Sequence, residues 1–162
     1  MPHIDLPPLP GIAGLLAGYP DTGDLLGRLG EALLRGPSPL TPAQRETIAA
    51  AVSRGNECTY CAETHGAVAR ELGGDAAGME ALLAIAEKVR VDGRSVTAED
   101  VARAREAGAD DRTIHDTVLI AAAFSMFNRY VDGLATTLPA ESAQYAERAR
   151  TLATRGYLNP RP

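Results

Sequence analysis

The sequence predicts an all-α protein, a single-domain bundle of about six to eight helices. Alanine occurs 29 times in the 162 residues, and the aromatic side chains comprise only five tyrosines, two phenylalanines and no tryptophan. This composition is typical of helices that pack closely through small residues. The alternating pattern of strands is absent, whereas helix start and stop signals recur along the chain. A chain of this length can bury one core without a disulfide framework or a structural metal.

The domain is predicted to occupy residues 21–162, after a proline-rich lead-in over residues 1–20. Asp21 or Thr22 can cap the first helix, because leucines follow them at helical spacing. The Gly-Pro-Ser-Pro run at 36–39 interrupts this pattern and is expected to end the helix.

The second helix has the clearest start signal. Thr41 supplies an N-cap, Pro42 a first-turn proline, and Gln44 the third-position partner of a capping box. The helix is therefore expected to begin at Pro42 and to run to about Arg54. Gly55 follows as its stop signal.

The next two helices are assigned from weaker caps. Asn56 can cap a third helix that runs to about Leu72, where two glycines follow. Asp75 can open a fourth helix, which is expected to end at Asp92 and the glycine after it.

The last three helices are assigned to residues 97–108, to residues 110–136 and to the segment after Pro139. Thr97 with Asp100 resembles a capping box for the first of them, and either residue of an Asp-Asp pair can cap the second.

Residues 117–127 are apolar around nearly the whole circumference of the long helix. This segment is either the central core helix or a helix covered partly by another subunit. Asn128, Arg129 and Asp132 follow it at helical spacing. We expect an ion pair between Arg129 and Asp132, with a pocket role as the alternative.

Charge and hydropathy exclude several classes of function. The formal net charge is −5, so no basic excess is present to bind a nucleic acid. No apolar run reaches the roughly 18 residues of a membrane span, and the amino-terminal residues lack the pattern of a secretion signal. We therefore expect a cytoplasmic protein without a membrane partner. Its two cysteines would then be reduced, which favours a catalytic or metal-binding role over a structural disulfide.

The two cysteines and a histidine share one face of the third predicted helix. Cys58, Cys61 and His65 are spaced at i, i+3 and i+7. Near a helix amino terminus, unpaired backbone amides and the helix dipole favour a thiolate. His65 lies one turn after Cys61, where its imidazole can accept the thiol proton.

Glu46 lies on the preceding helix, and the chain must turn at Gly55 and Asn56 to bring it near the cysteines. A carboxylate there could orient the imidazole of His65 or take part in passing its proton. The alternative is a solvated glutamate paired with a nearby arginine such as Arg45 or Arg54.

The cysteine pair has three other interpretations. With one histidine it provides three zinc ligands, whereas a structural zinc site needs four. The two thiols could also be buried and inert. Covalent haem attachment requires a histidine directly after the second cysteine, and Ala62 stands there.

Taken together, Glu46, Cys58, Cys61 and His65 form the pattern E-x11-C-x2-C-x3-H. This pattern resembles the signature of alkylhydroperoxidase D-like (AhpD-like) proteins in the carboxymuconolactone decarboxylase superfamily. The residues around it, and FSMFNRYVDGL later in the chain, are most similar to the branch called peroxidase-related enzymes; the resemblance covers about residues 20–135. It implies an all-helical fold, peroxide reduction by thiols without a bound cofactor, and a homo-oligomer, either a trimer or a hexamer.

The resemblance also implies a role for each residue of the pattern. Cys61 would attack the peroxide, Cys58 would resolve the product to a disulfide, and an external lipoyl- or thioredoxin-like dithiol would reduce it. His65 would act as the base and Glu46 as part of a proton relay. Well-characterised members carry a histidine just before the second cysteine, whereas this sequence has Tyr60. Part of their proton relay is therefore missing here or replaced by a phenol.

The order of the two cysteines is predicted from conflicting arguments. Helix electrostatics alone favours Cys58, which is nearer the amino terminus. The i+4 spacing to His65 and the resemblance both favour Cys61, which we predict to be the attacking thiol. Two other functions stay open, a decarboxylase acting on a lactone acid and a redox-sensing oligomer without catalysis.

Overall fold

The computed structural model describes residues 1–158 and confirms the all-α fold. Within that range the chain forms eight α-helices and one short 3-10 helix, and it forms no strand. The α-helices are α1 (Ile12–Gly18), α2 (Pro20–Arg35), α3 (Pro42–Gly55), α4 (Thr59–Glu71), α5 (Glu80–Asp92), α6 (Ala98–Glu106), α7 (Asp111–Gly133) and α8 (Ala143–Arg155). Residues 159–162, which the predicted domain includes, lie outside the described residues.

Strong capping signals placed helix starts correctly. The backbone amide of Gln44 donates to Thr41 Oγ1 at 3.2 Å, and the amide of Thr41 donates to Gln44 Oε1 at 2.9 Å. Thr97 and Asp100 form the second predicted capping box at the start of α6. In each case the two side chains satisfy backbone amides that the helix itself leaves unpaired.

Several predicted helix starts were wrong. Helix α2 begins at Pro20 with Tyr19 as its N-cap, so neither Asp21 nor Thr22 caps it. The lead-in contains α1, a seven-residue helix that no cap in the sequence indicates. The helix expected from Asp75 begins only at Glu80, because the carboxylate of Asp75 accepts the amide of Ala77 at 3.0 Å and holds a turn instead.

Helix α7 lies at the centre of the core, packed against α3 and α5. Ile120 and Phe124 of α7 are buried in the same cluster as Ile48 of α3 and Ile85 of α5. The opposite face of α7 is exposed and carries three apolar residues, Leu119, Ala122 and Met126. No helix in the described part of the chain is long and apolar enough to cross a membrane.

The amino-terminal segment covers the end of the bundle where α4 begins. The amide of His3 donates to the carbonyl of Leu134 at 3.0 Å, and the amide of Gly11 donates to that of Thr137 at 2.9 Å. Gly11 adopts a left-handed φ of 58°. A Cβ atom at this position would lie 2.2 Å from the ring of Tyr60. Glycine is therefore required both for the backbone conformation and for the close approach of the ring.

Replacement of Gly11 by alanine is expected to lower the free energy of unfolding by at least about 2 kcal/mol, because strain and overlap with the Tyr60 ring add together. Urea denaturation measures the effect. Gly27→Ala is the matched control, because Gly27 lies inside α2 with no atom near the added methyl group. That change should raise the free energy of unfolding by roughly 0.5–1 kcal/mol. Equal effects of the two changes would contradict the packing described for Gly11.

Candidate active site

The start of α4 differs from the prediction and changes the positions of the two cysteines in the helix. Asn56 does not cap α4, because it ends α3 and donates its amide to the carbonyl of Val52 at 2.9 Å. Glu57 then takes a left-handed φ of 59°, and Cys58 is the N-cap of α4. Cys61 thus occupies the third position of the helix. Its sulfur belongs to the first turn, where the positive end of the helix dipole favours a thiolate.

The two thiols are coupled to each other and differ in acidity. A hydrogen bond from Cys58 lowers the pKa of Cys61, the Asn128 amide adds to this effect, and burial opposes it. The same hydrogen bond raises the pKa of Cys58, together with burial and a hydrogen bond to Asp132. These interactions favour ionisation of Cys61 over ionisation of Cys58. The position of Cys61 in the first turn, its lowered pKa and its i+4 spacing to His65 all favour Cys61 as the attacking thiol.

Both thiols are shielded from solvent. Cys58 is 0% exposed and Cys61 is 3% exposed. They share a buried cluster with Leu15 of α1, Tyr60 and Val131 of α7. The amino-terminal segment therefore forms part of the wall around the pair.

Glu46 meets His65 across the interface between α3 and α4. Its side chain is fully buried, and its Oε2 lies 2.7 Å from Nδ1 of His65. A carboxylate can only accept a hydrogen bond, so Nδ1 carries the hydrogen. The nitrogen left to act as a base is Nε2. The Phe124 ring packs nearly perpendicular to the imidazole, with the ring centroids 4.6 Å apart, and limits its rotation.

Two further residues contact Glu46, and sequence reasoning missed both. Its Oε1 accepts from the Arg35 guanidinium at 2.8 Å and from the Tyr157 hydroxyl at 2.6 Å. Burial alone would raise the pKa of Glu46, but His65, Tyr157 and Arg35 together lower it. Glu46 is thus a fixed anion with three donors. This arrangement suits a residue that orients the imidazole better than one that carries the proton itself.

The ion-pair partner of Glu46 is Arg35, not Arg45 or Arg54, which the alternative interpretation named. Arg45 donates to the carbonyls of Leu33 and Gly36, at 3.2 and 2.8 Å. Arg35 takes the place beside the carboxylate because α2 packs against α3. No local signal marks Arg35 or Tyr157, which approach Glu46 from 11 and 111 positions away in the chain.

A cavity of about 320 Å³ is connected to the cysteine pair through Asn128 and Asp132, which hydrogen-bond to Cys61 and Cys58 respectively. It is lined by Asn56, Asn128, Arg129, Asp132 and Gly133. The ion pair expected between Arg129 and Asp132 is not formed, because the Arg129 guanidinium donates to the carbonyl of Ser125 at 2.8 Å. Both charged side chains therefore face the cavity, which gives the pocket alternative its support.

The predicted site residues form two touching pairs. Glu46 contacts His65, and Cys58 contacts Cys61, with His65 one helical turn after Cys61 on α4. Among residues 1–158, no three acidic, cysteine or histidine side chains converge as a metal ion would require, so the zinc interpretation lacks support. Tyr60 is buried against Gly11 and also contributes to the lining of a second cavity, of about 230 Å³. Burial raises the pKa of its phenol.

Comparison with known proteins places the chain in a family. The model of the carboxymuconolactone decarboxylase family matches residues 20–103, which is more than half of the 162 residues. The chain belongs to this family. The matched region includes the whole Glu46–Cys58–Cys61–His65 pattern, whereas Tyr157 lies beyond it. No curated protein matches the sequence.

Two solved structures show that the family resemblance extends to the AhpD-like fold. An uncharacterized peroxidase-related protein from Silicibacter sp. TM1040 superposes with a TM-score of 0.80 at 25% identity, over 92% of this chain and 96% of that one. A second, described as an alkylhydroperoxidase AhpD core and an uncharacterized peroxidase-related protein from Ralstonia eutropha JMP134, has a TM-score of 0.76 at 26% identity, over 88% of this chain and 82% of the other. The family and these neighbours suggest an enzyme.

Proposed function

We propose that this protein is a thiol-dependent peroxidase or disulfide reductase that uses no bound cofactor. One observation carries the proposal. The thiol with the lowered pKa, Cys61, lies in the first turn of α4, beside Cys58 and one turn before a histidine whose Nδ1 is held by a buried carboxylate. The description of both structural neighbours as peroxidase-related supports it.

In the proposed reaction His65 accepts the proton of Cys61, and the thiolate attacks one oxygen of the hydroperoxide. The O–O bond breaks, the leaving oxygen takes the proton from the imidazole, and an alcohol or water departs. Cys61 is then a sulfenic acid. The sulfur of Cys58 displaces this hydroxyl group as water and forms a disulfide. An external dithiol of lipoyl or thioredoxin type returns both thiols by exchange.

The proposal is tested by peroxide consumption. Wild-type protein should reduce a small organic hydroperoxide repeatedly when a dithiol is supplied, with formation of the Cys58–Cys61 disulfide seen as a loss of two mass units. Prior alkylation of the cysteines should abolish turnover.

The same preparations separate the alternatives. A disulfide that forms with peroxide but never turns over with any dithiol would point to a redox sensor. Conversion of a carboxylated lactone that survives alkylation would point to a decarboxylase. Either result would remove the peroxidase proposal.

A cytoplasmic location and a homo-oligomer belong to the same proposal. The exposed apolar face of α7, with Leu119 at 40% and Met126 at 44% exposure, is the surface on which a second copy would pack. Mass measurement by sedimentation decides between a monomer, a trimer and a hexamer.

A further inference from the structure

The segment after α8 delivers a tyrosine to the Glu46–His65 pair. Gly156 has a left-handed φ of 70° and turns the chain inward. The amide of Tyr157 then donates to Glu31 Oε2 at 2.6 Å, and the Arg35 guanidinium lies 5.1 Å from the centre of the tyrosine ring. Two residues of α2 thus fix both the backbone and the ring of Tyr157.

The hydroxyl of this tyrosine touches both members of the pair. It donates to Glu46 Oε1 at 2.6 Å and lies 3.2 Å from Nδ1 of His65. The tyrosine and imidazole rings are nearly parallel, with centroids 5.9 Å apart. Because the carboxylate accepts from Tyr157 and Arg35 on one oxygen, its other oxygen is turned toward His65.

We propose that Tyr157 is a positioning residue for His65, acting through Glu46. This inference rests on the proposed function for its catalytic consequence. The phenol holds the carboxylate in the one rotation that receives Nδ1–H, which leaves Nε2 as the base. Burial and the neighbouring carboxylate raise the pKa of Tyr157, so that the hydroxyl remains a donor. A phenylalanine would fill the same space without this hydrogen bond.

The charged and titratable groups around the phenol come from four helices. They are Glu31 and Arg35 of α2, Glu46 of α3, His65 of α4 and Arg148 of α8. A proton on Glu46 would remove the acceptor that holds Nδ1–H of His65. Loss of a hydrogen bond to the carboxylate makes the carboxylate more basic, so its protonation, and with it the acid side of the pH–rate profile, moves to higher pH.

Tyr157→Phe is expected to lower kcat/KM for the hydroperoxide about tenfold. It should also shift the acid-side midpoint of the pH–rate profile to higher pH, by roughly half a pH unit to one unit. Tyr19→Phe is the matched control, because Tyr19 is 44% exposed at the end of α1. It is not among the residues that hydrogen-bond to Glu46 or His65. Its profile should coincide with the wild-type profile.

A second variant keeps the shape of the side chain. Incorporation of 3-fluorotyrosine at position 157 gives a more acidic phenol and a stronger donor, so the acid limb should move to lower pH. A residue that only filled space would leave the limb in place in both variants. If the phenylalanine variant does not fold, the direction of the fluorotyrosine shift decides by itself.

An activity-independent readout separates this inference from the proposed function. The carboxyl carbon of Glu46, assigned by Glu46→Gln in 13C-glutamate-labelled protein, is titrated downward from pH 7. Its midpoint should rise with Tyr157→Phe and fall with 3-fluorotyrosine. A protein without peroxide turnover that shows these shifts would refute the peroxidase proposal and keep the positioning role. Unchanged Glu46 titration in the folded variants would overturn the positioning role.

Discussion

Replacement of Cys61 by serine is expected to abolish peroxide reduction, with a loss on the order of 10³-fold or more. A serine hydroxyl stays protonated at neutral pH and is a far weaker nucleophile than the thiolate that the first turn of α4 stabilises. Cys58→Ser should behave differently. That variant should reduce one equivalent of hydroperoxide per chain and then stop, because no second thiol remains to convert the sulfenic acid of Cys61 into a disulfide.

Trapping of the sulfenic acid distinguishes the two cysteines. With a dimedone-type reagent and mass spectrometry, Cys58→Ser protein treated with one equivalent of peroxide should carry the label on Cys61. Cys61→Ser protein should stay unlabelled under the same conditions. Rapid labelling of Cys58 in the second variant would reverse the assigned roles and would contradict the difference in acidity described for the pair.

Local signals predicted most of the fold and half of the site's contacts. The capping boxes at Thr41 and Thr97 work within four residues, so the sequence alone reveals them. The spacing of Cys58, Cys61 and His65 is likewise a property of one helix. Glu46 could be linked to His65 because the connection between α3 and α4 is short and forces the two helices together.

Long-range packing determined what the sequence could not reveal. Tyr157 reaches Glu46 only because α8 packs against α4 and Gly156 turns the following residue inward. The start of α4 also depended on which of several adjacent residues became its N-cap. Asn56 is a good N-cap by type, but Glu57 takes the left-handed conformation and moves the cap to Cys58.

The largest expected effect on stability is that of Glu46→Leu, a loss of about 3–5 kcal/mol in the free energy of unfolding. The change leaves the partly buried Arg35 guanidinium without its carboxylate and removes the acceptor for His65 and Tyr157. Peroxide reduction should fall as well, since the imidazole loses the group that holds Nδ1–H. Urea denaturation at pH 7 measures the first effect.

The pH dependence of this loss has a defined sign. In the folded protein the pKa of Glu46 lies below its ordinary value of 4.5, because His65, Tyr157 and Arg35 stabilise the carboxylate. The carboxylate therefore stabilises the fold above that value, and the contribution disappears as the pH falls through the lower folded-state pKa. The stability difference between wild type and Glu46→Leu should be full at pH 7 and should shrink in acid. A difference that stayed constant down to pH 3 would mean that lost packing, not lost charge, caused the destabilisation.

A double variant separates folding from chemistry. In Glu46→Leu/Arg35→Met both partners of the ion pair are apolar, so no unpaired guanidinium remains, and much of the stability should return. Activity should stay as low as in Glu46→Leu, because the imidazole still lacks its carboxylate. Recovery of stability together with activity would show that Glu46 serves the fold alone. Recovery of stability without activity would show that the loss of activity is not a consequence of destabilisation, as expected if the buried carboxylate acts on His65.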